Sequence, residues 1–246
     1  MNSYVFATDV NVAVVKSWDG NAPIFNELNS IGLTINTSLR TASSFTYDDL
    51  VGTGADILWL SNPAGGGRQY SDEEVNAIKR YANEGHSILG TFKVFKGLGA
   101  GGVVVDNRKL APIFGLREDL NYNISVTSAD RTFDILDANH ALFNNMPNPY
   151  DSNAYPYAQV PTDGTWDTGD FGLAELLAQT SDKKGVITWY QTASYHAIYI
   201  SEMLEAEGYG GQMDIQFIYN ASTVVPEPST IALLTLGGLA LFRRKS

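Results

Sequence analysis

With no cysteine among its 246 residues, this chain has no thiol to serve as nucleophile, zinc ligand or disulfide partner. Any chemistry must come from hydroxyls, carboxylates and three histidines. His86, His140 and His196 are far apart and lack the H-E-x-x-H or H-x-H spacing that seats two imidazoles on one metal. Each reads as structural, with a site role for His140 beside Asp137 as the alternative. Gly85-His86-Ser87-Ile88-Leu89-Gly90 approaches the G-x-S-x-G pattern that exposes a serine on a sharp turn. Its glycines are one residue too far apart and Ser87 precedes an apolar run, so Ser87 reads as strand entry. Gly65-Gly66-Gly67-Arg68 could cradle an anion, but no G-K-[ST] follows and Asp72-Glu73-Glu74 would repel phosphate, which favours a plain loop. Asp151, Asp163, Asp167 and Asp170 offer oxygens for calcium without the twelve-residue loop pattern, so a solvated acidic loop is the plainer reading. Trp166, Trp189, Tyr190, Tyr195 and Tyr199 carry ring faces that could stack on sugars or fill a core. No metal and no cofactor are expected.

The elements that would position these groups centre on Ala55 to Phe92. Asp56-Ile57-Leu58-Trp59-Leu60-Ser61 is an apolar run ended by Asn62-Pro63, as in a strand buried on both faces. Ser71 with Glu74 forms a capping box, and Val75, Ile78, Tyr81 and Ala82 keep helical spacing up to Gly85. Ser87 to Phe92 is the next strand, and a right-handed crossover sets Ile57 to Leu60 and Ile88 to Phe92 side by side and parallel. Upstream, either Tyr4-Val5-Phe6 or Val12-Ala13-Val14-Val15 is the first strand. A helix through Ile24, Phe25, Leu28 and Ile31, a strand from Leu33 to Thr37 and a helical turn at Tyr47 to Val51 follow. Downstream, Gly97 to Gly102 reads as a flexible loop and Arg108 to Phe114 as a short helix. Asn121 to Val126, Thr132 to Leu136, Leu173 to Thr180, Val186 to Tyr190 and Ser194 to Ser201 read as strands, and a final helix starts at Asp214. This alternation predicts a flavodoxin-like, doubly wound, mostly parallel α/β sheet with added β-strands, followed by a short C-terminal hydrophobic helix. Residues 1–223 make one domain and residues 224–246 a tail. The formal charge of −11 repels phosphate backbones, so nucleic acid is not an expected partner.

With these segments in place, the body resembles the class I glutamine amidotransferase-like superfamily, including its trehalose-utilisation-like branches. The resemblance rests on Asp56 to Leu60, on Ser71-Asp72-Glu73-Glu74-Val75, and on Tyr81-Ala82-Asn83-Glu84-Gly85-His86-Ser87-Ile88-Leu89. Leu110 to Leu116, Asp137 to Phe143 and Asp214 to Ala221 extend it over most of residues 1–222. It implies a catalytic cysteine at the turn after the Ser87 to Gly90 strand, and a histidine and glutamate after the strand ending at Ser201. Here those places read Gly90-Thr91-Phe92-Lys93 and Ser201-Glu202-Met203-Leu204-Glu205. Thr91, Glu202 and Glu205 are thus degenerate triad positions, and the resemblance implies a domain without amidotransferase activity. A binding role toward carbohydrate or protein is the expected function. The alternative is a hydrolase acting on envelope polysaccharide.

The tail is the most specific stretch. Pro226, Glu227, Pro228, Ser229 and Thr230 precede the apolar run carrying Ile231, Leu233, Leu234, Leu236, Leu239, Leu241 and Phe242, and Arg243, Arg244 and Lys245 close it. This is similar to a PEP-CTERM sorting signal. The prolines hold an extended, accessible segment. The twelve residues from Ile231 to Phe242 span ~18 Å of helix against ~30 Å of hydrocarbon, a poor anchor alone. The basic end would stay cytoplasmic, which places the body on the periplasmic side. The resemblance implies an exosortase as partner, transient residence in the inner membrane, release to the cell envelope or extracellular matrix, and exopolysaccharide among the ligands. It also implies a leader peptide, from which residues 1–9, with no basic and no long apolar region, depart.

Overall fold

The structure, a computed structural model, describes residues 9–17, 23–99, 102–120, 122, 132–151, 171–181, 185–201 and 212–224. Strand β1 (Val10–Val14) takes the second of the two candidate apolar patches. It is followed by α1 (Pro23–Ser30), β2 (Leu33–Asn36), α2 (Tyr47–Gly52), β3 (Ile57–Ser61), α3 (Asp72–Asn83) and β4 (Ser87–Thr91). Then come β5 (Lys96–Leu98), β6 (Val104–Asp106), a 3-10 segment at Arg108–Phe114 and β7 (Thr132–Ile135). A second 3-10 turn at Ala141–Phe143 and β8 (Tyr150–Asp151) precede β9 (Glu175–Thr180), β10 (Gly185–Gln191), β11 (His196–Ile200) and α4 (Gln212–Thr223).

One sheet of nine strands runs β2-β1-β3-β4-β11-β10-β9-β7-β8. Its first five strands are parallel, and the antiparallel strands are added on the far side of β11. Residues Ile57 and Ser61 pair with Ser87 and Thr91, so the expected neighbours β3 and β4 are adjacent and parallel. Every residue of β3, β4 and β11 is buried, because helices cover both faces of the sheet. Val75, Ile78 and Tyr81 of α3 pack on one face with Leu50 and with Leu110 and Phe114. Ile24, Phe25 and Leu28 of α1 and Phe217 and Ile218 of α4 pack on the other.

Local sequence accounts for the helix starts. Ser71 and Thr46 each make a full capping box, with Glu74 and Asp49 respectively reaching back to the cap N–H. Gly90 is required by packing: a Cβ there would meet the Phe114 ring at 2.7 Å. Gly115 ends the 3-10 segment in the left-handed region, φ 68°, with the Tyr190 ring against its α-carbon.

Within the Gly97 to Gly102 stretch, Gly97 and Leu98 depart from the loop expectation, while Gly102 donates to the Gly99 carbonyl across the turn between the strands. Lys96, Gly97 and Leu98 pair with Asp106, Val105 and Val104 in a two-stranded antiparallel ribbon. A three-residue strand lacks the length to show an alternation in sequence. The ribbon is held instead by its neighbours, since Asn107 takes the Tyr70 N–H and donates to the Arg68 carbonyl. Apart from the buried Tyr122, the expected strand at Asn121 to Val126 lies outside the described residues, as do Asp163, Trp166, Asp167, Asp170, Glu202, Glu205 and all of residues 225–246. Among the described residues no helix is long and apolar enough to cross a membrane.

Candidate functional site

In a doubly wound sheet, ligands bind beyond the carboxyl ends of the strands, where successive crossovers leave toward opposite sides. Here that switch falls between β1 and β3, since β1 leads outward to β2 while β3 leads inward to β4. The chain leaves this edge through three non-glycine residues in the left-handed region: Lys16 after β1 (φ 44°), Asn62 after β3 (φ 46°) and Phe92 after β4 (φ 53°). Such conformations cost on the order of 1–3 kcal/mol each and concentrate at sites where the surrounding structure fixes them.

Lys16 is 3% exposed, and its ammonium is fully engaged. Nζ lies 2.7 Å from Glu74 Oε1, donates to the Gln69 carbonyl at 3.0 Å, and stands over the Tyr70 and Phe45 rings. Glu74 accepts the N–H groups of Phe45 and Ser71 as well. The Tyr70 hydroxyl, its pKa raised well above the ordinary value by burial and by the nearby Glu74, donates to the Val15 carbonyl. Across the switch, Ser17 and Ser61 hydroxyls meet at 3.1 Å, both buried. Asn62 turns its Oδ1 to the Gly65 N–H, closing the loop that follows β3.

At the neighbouring strand end, Thr91 is the last residue of β4 and fully buried, its Oγ1 accepting from Trp59 Nε1 at 3.1 Å. The sharp turn itself falls one residue later. Phe92 carries the left-handed backbone, buries its ring, donates its N–H to Ile200 and accepts the Tyr199 hydroxyl on its carbonyl. Lys93 Nζ stands 5.2 Å from the ring centroid, and burial lowers the Lys93 pKa.

The histidines are elsewhere. His86 stacks on Tyr81 at 3.9 Å at the amino end of β4. His196 opens β11 at that same amino edge, and His140 caps the 3-10 turn at Ala141–Phe143. Ser87, likewise at the amino end of β4, is 2% exposed. The proposed aromatic face is divided: Trp189 lies in the core with α1 and α4, whereas Tyr190, Tyr195 and Tyr199 belong to the opposite core. Among the described residues no three His, Asp or Glu side chains gather to hold a metal ion. The sequence reading missed Lys16 and Ser17 and gave Glu74 only its capping role. The available signal was a lysine ending the run Val12-Ala13-Val14-Val15.

Residues 224–246 match the PEP-CTERM protein-sorting motif, which marks the chain as an exported protein sorted by an exosortase. No curated protein sequence matches the chain. Among solved structures, the chain is similar to a cytoplasmic protein from Salmonella typhimurium at 12% identity and TM-score 0.60, covering 88% of this chain and 98% of that one. It is also similar to a protein described as ThuA-like from Bacteroides uniformis, at 13% identity and TM-score 0.57, covering 92% and 95%. A protein from Thermoplasma acidophilum described as part of a GMP synthase shares 16% identity at TM-score 0.51, covering 87% and 94%. These likenesses show a shared α/β fold built on a mostly parallel sheet.

Proposed function

We propose that this is an envelope or extracellular-matrix protein whose α/β domain, residues 1–223, binds carbohydrate or protein without transforming it. The observation that carries this reading is Phe92. The family resemblance puts a nucleophile at the turn after β4, and here the residue with the left-handed backbone has an apolar ring, 3% exposed. Thr91 beside it is occupied by the Trp59 indole. Thr91, Glu202 and Glu205 are read as vestiges of the triad. The carboxyl edge, with its buried Lys16–Glu74 pair, is a rigid platform for recognition.

The tail supplies the route. The exosortase acts at Pro226, Glu227, Pro228, Ser229 and Thr230 after the short apolar run has held the precursor in the inner membrane with Arg243, Arg244 and Lys245 on the cytoplasmic side. In a host with an exosortase, mass spectrometry of the exported protein should find its C-terminus near residues 226–230. Changing Pro226 and Pro228 to Ala should leave the precursor in the membrane, and an exported form still ending at Ser246 would overturn the sorting reading. The mature protein on an exopolysaccharide array should retain ligand unchanged. Release of cleaved glycan would make it a hydrolase instead, and glutamine turnover would restore the amidotransferase.

A further inference from the structure

His140 and His196 stand on either side of one indole, with ring centroids 4.9 Å and 4.4 Å from Trp189. Each imidazole is placed so that only its neutral form fits. His140 is the N-cap of the 3-10 turn at Ala141–Phe143, and its Nδ1 accepts the Leu142 N–H at 3.3 Å. A proton on Nδ1 would set donor against donor. His196 is 5% exposed, and its Nδ1 is buried without a hydrogen-bond partner. The pairing of Ala197 with Ile88 places it level with Ser87 on the adjacent strand, whose Oγ is also buried without a partner. Among the described residues no carboxylate compensates a charge at His196, and a charged imidazole there would be desolvated.

The turn that His140 caps is also the anchor of helix α4. Asn220 Nδ2 donates to the Leu142 carbonyl at 2.9 Å and to the Asn144 carbonyl at 2.8 Å. The helix ends at Thr223, where the sorting motif begins one residue later. A continuous set of contacts therefore runs from the two imidazoles through the turn to the element that carries the tail.

We propose that His140, Trp189 and His196 form an acid-sensitive latch: protons on the two imidazoles open the 3-10 turn that Asn220 grips and loosen α4 from the sheet. Among the described residues the charged groups facing the latch are few. Glu175, opposite Trp189 in the β9–β10 pairing, and Asp137 in the preceding turn both favour a proton on His140, while each histidine's charge opposes the other's. Asp134 of β7 is exposed and alternates onto the other face from Phe133 and Ile135. From β4 the neighbour is Ser87. From α4 the carboxylate of Asp214 is engaged by the Tyr150 hydroxyl, and Asn220 is neutral. The latch stands whether or not the tail is processed. If the sorting reading holds, acid lengthens the tether between the folded body and Pro226.

Hydrogen exchange on the full-length protein tests it, comparing about pH 7 with about pH 4.5, a range that brackets imidazole protonation. Helix α3, which packs on the opposite face of the sheet from Trp189, serves as internal reference for the intrinsic rate. Peptides covering 212–223 should lose protection by roughly tenfold more than those of α3 on acidification, as in a local opening. His140→Asn keeps a neutral N-cap acceptor at every pH and should retain most of that protection, and adding His196→Gln should abolish the difference. Equal acid loss in wild type and in the double variant, or no greater loss in α4 than in α3, would overturn the latch. Should His196→Gln fail to fold, His140→Asn alone decides, because its turn is half-buried and the replacement preserves the cap.

Discussion

Lys16 Nζ lies 2.7 Å from Glu74 Oε1, with the two side chains only 4% and 3% exposed. The pair fastens the left-handed end of β1 to the first turn of α3, and Glu74 serves at once as counter-ion and as capping residue. Removing one member of a buried pair leaves the other charged and desolvated, at a cost of about 3–5 kcal/mol. Glu74→Gln keeps one acceptor oxygen, enough for either the Ser71 or the Phe45 N–H, so it removes the charge and one of these two hydrogen bonds together. Its urea midpoint should fall at unchanged slope, and adding Lys16→Met should restore at least half of the loss.

Acid should weaken the fold in two separate windows. Burial holds His196 down to about 4 and also lowers His140. The unfolded imidazole titrates near ~6.5, so below that pH the unfolded chain binds more protons than the native one. The stability from His196 is complete above ~6.5, declines as pH falls, and stops declining once the native residue itself titrates, a loss on the order of 3 kcal/mol. Asp106, held low chiefly by its hydrogen bonds from Arg108, loses its contribution only below ~4. Thermal unfolding across pH should show the upper window shrink in His196→Gln and vanish when His140→Asn is added, while the lower one persists.

Thr91→Val should behave as a structural change. It removes the acceptor of Trp59 Nε1 and leaves a buried N–H, which costs about 1–3 kcal/mol. Ligand retention by the folded variant should equal that of wild type, and a complete loss of binding without loss of stability would place Thr91 in contact with ligand.

Gly90→Ala should destabilise by about 1–3 kcal/mol, because the new methyl meets the Phe114 ring at 2.7 Å in a packed core. Combining it with Phe114→Leu should cost less than the two single changes added together, a non-additivity that chemical denaturation can measure.

The unit β3-α3-β4 was legible because each of its signals is local. An apolar run, a serine three residues before a glutamate and a closing glycine act within a few residues of one another. The same holds for residues 224–246, where prolines, an apolar run and terminal cations stand in order along the chain. The short ribbon of β5 and β6 escaped because its pairing depends on loop 62–70 and on Asn107 more than on its own pattern.

The sequence by itself determined which segments bury apolar faces, where helices begin, and that no thiol stands after β4. Tertiary structure alone decided that Lys16 meets Glu74 across 58 residues, and that Phe92 takes the strained backbone. It also decided that two histidines distant in sequence share Trp189. Caps and periodicity are short-range preferences carried by neighbouring residues. Ion pairing, left-handed strain and the burial of an imidazole are imposed only when the sheet assembles, because the energy that offsets them comes from packing on both its faces.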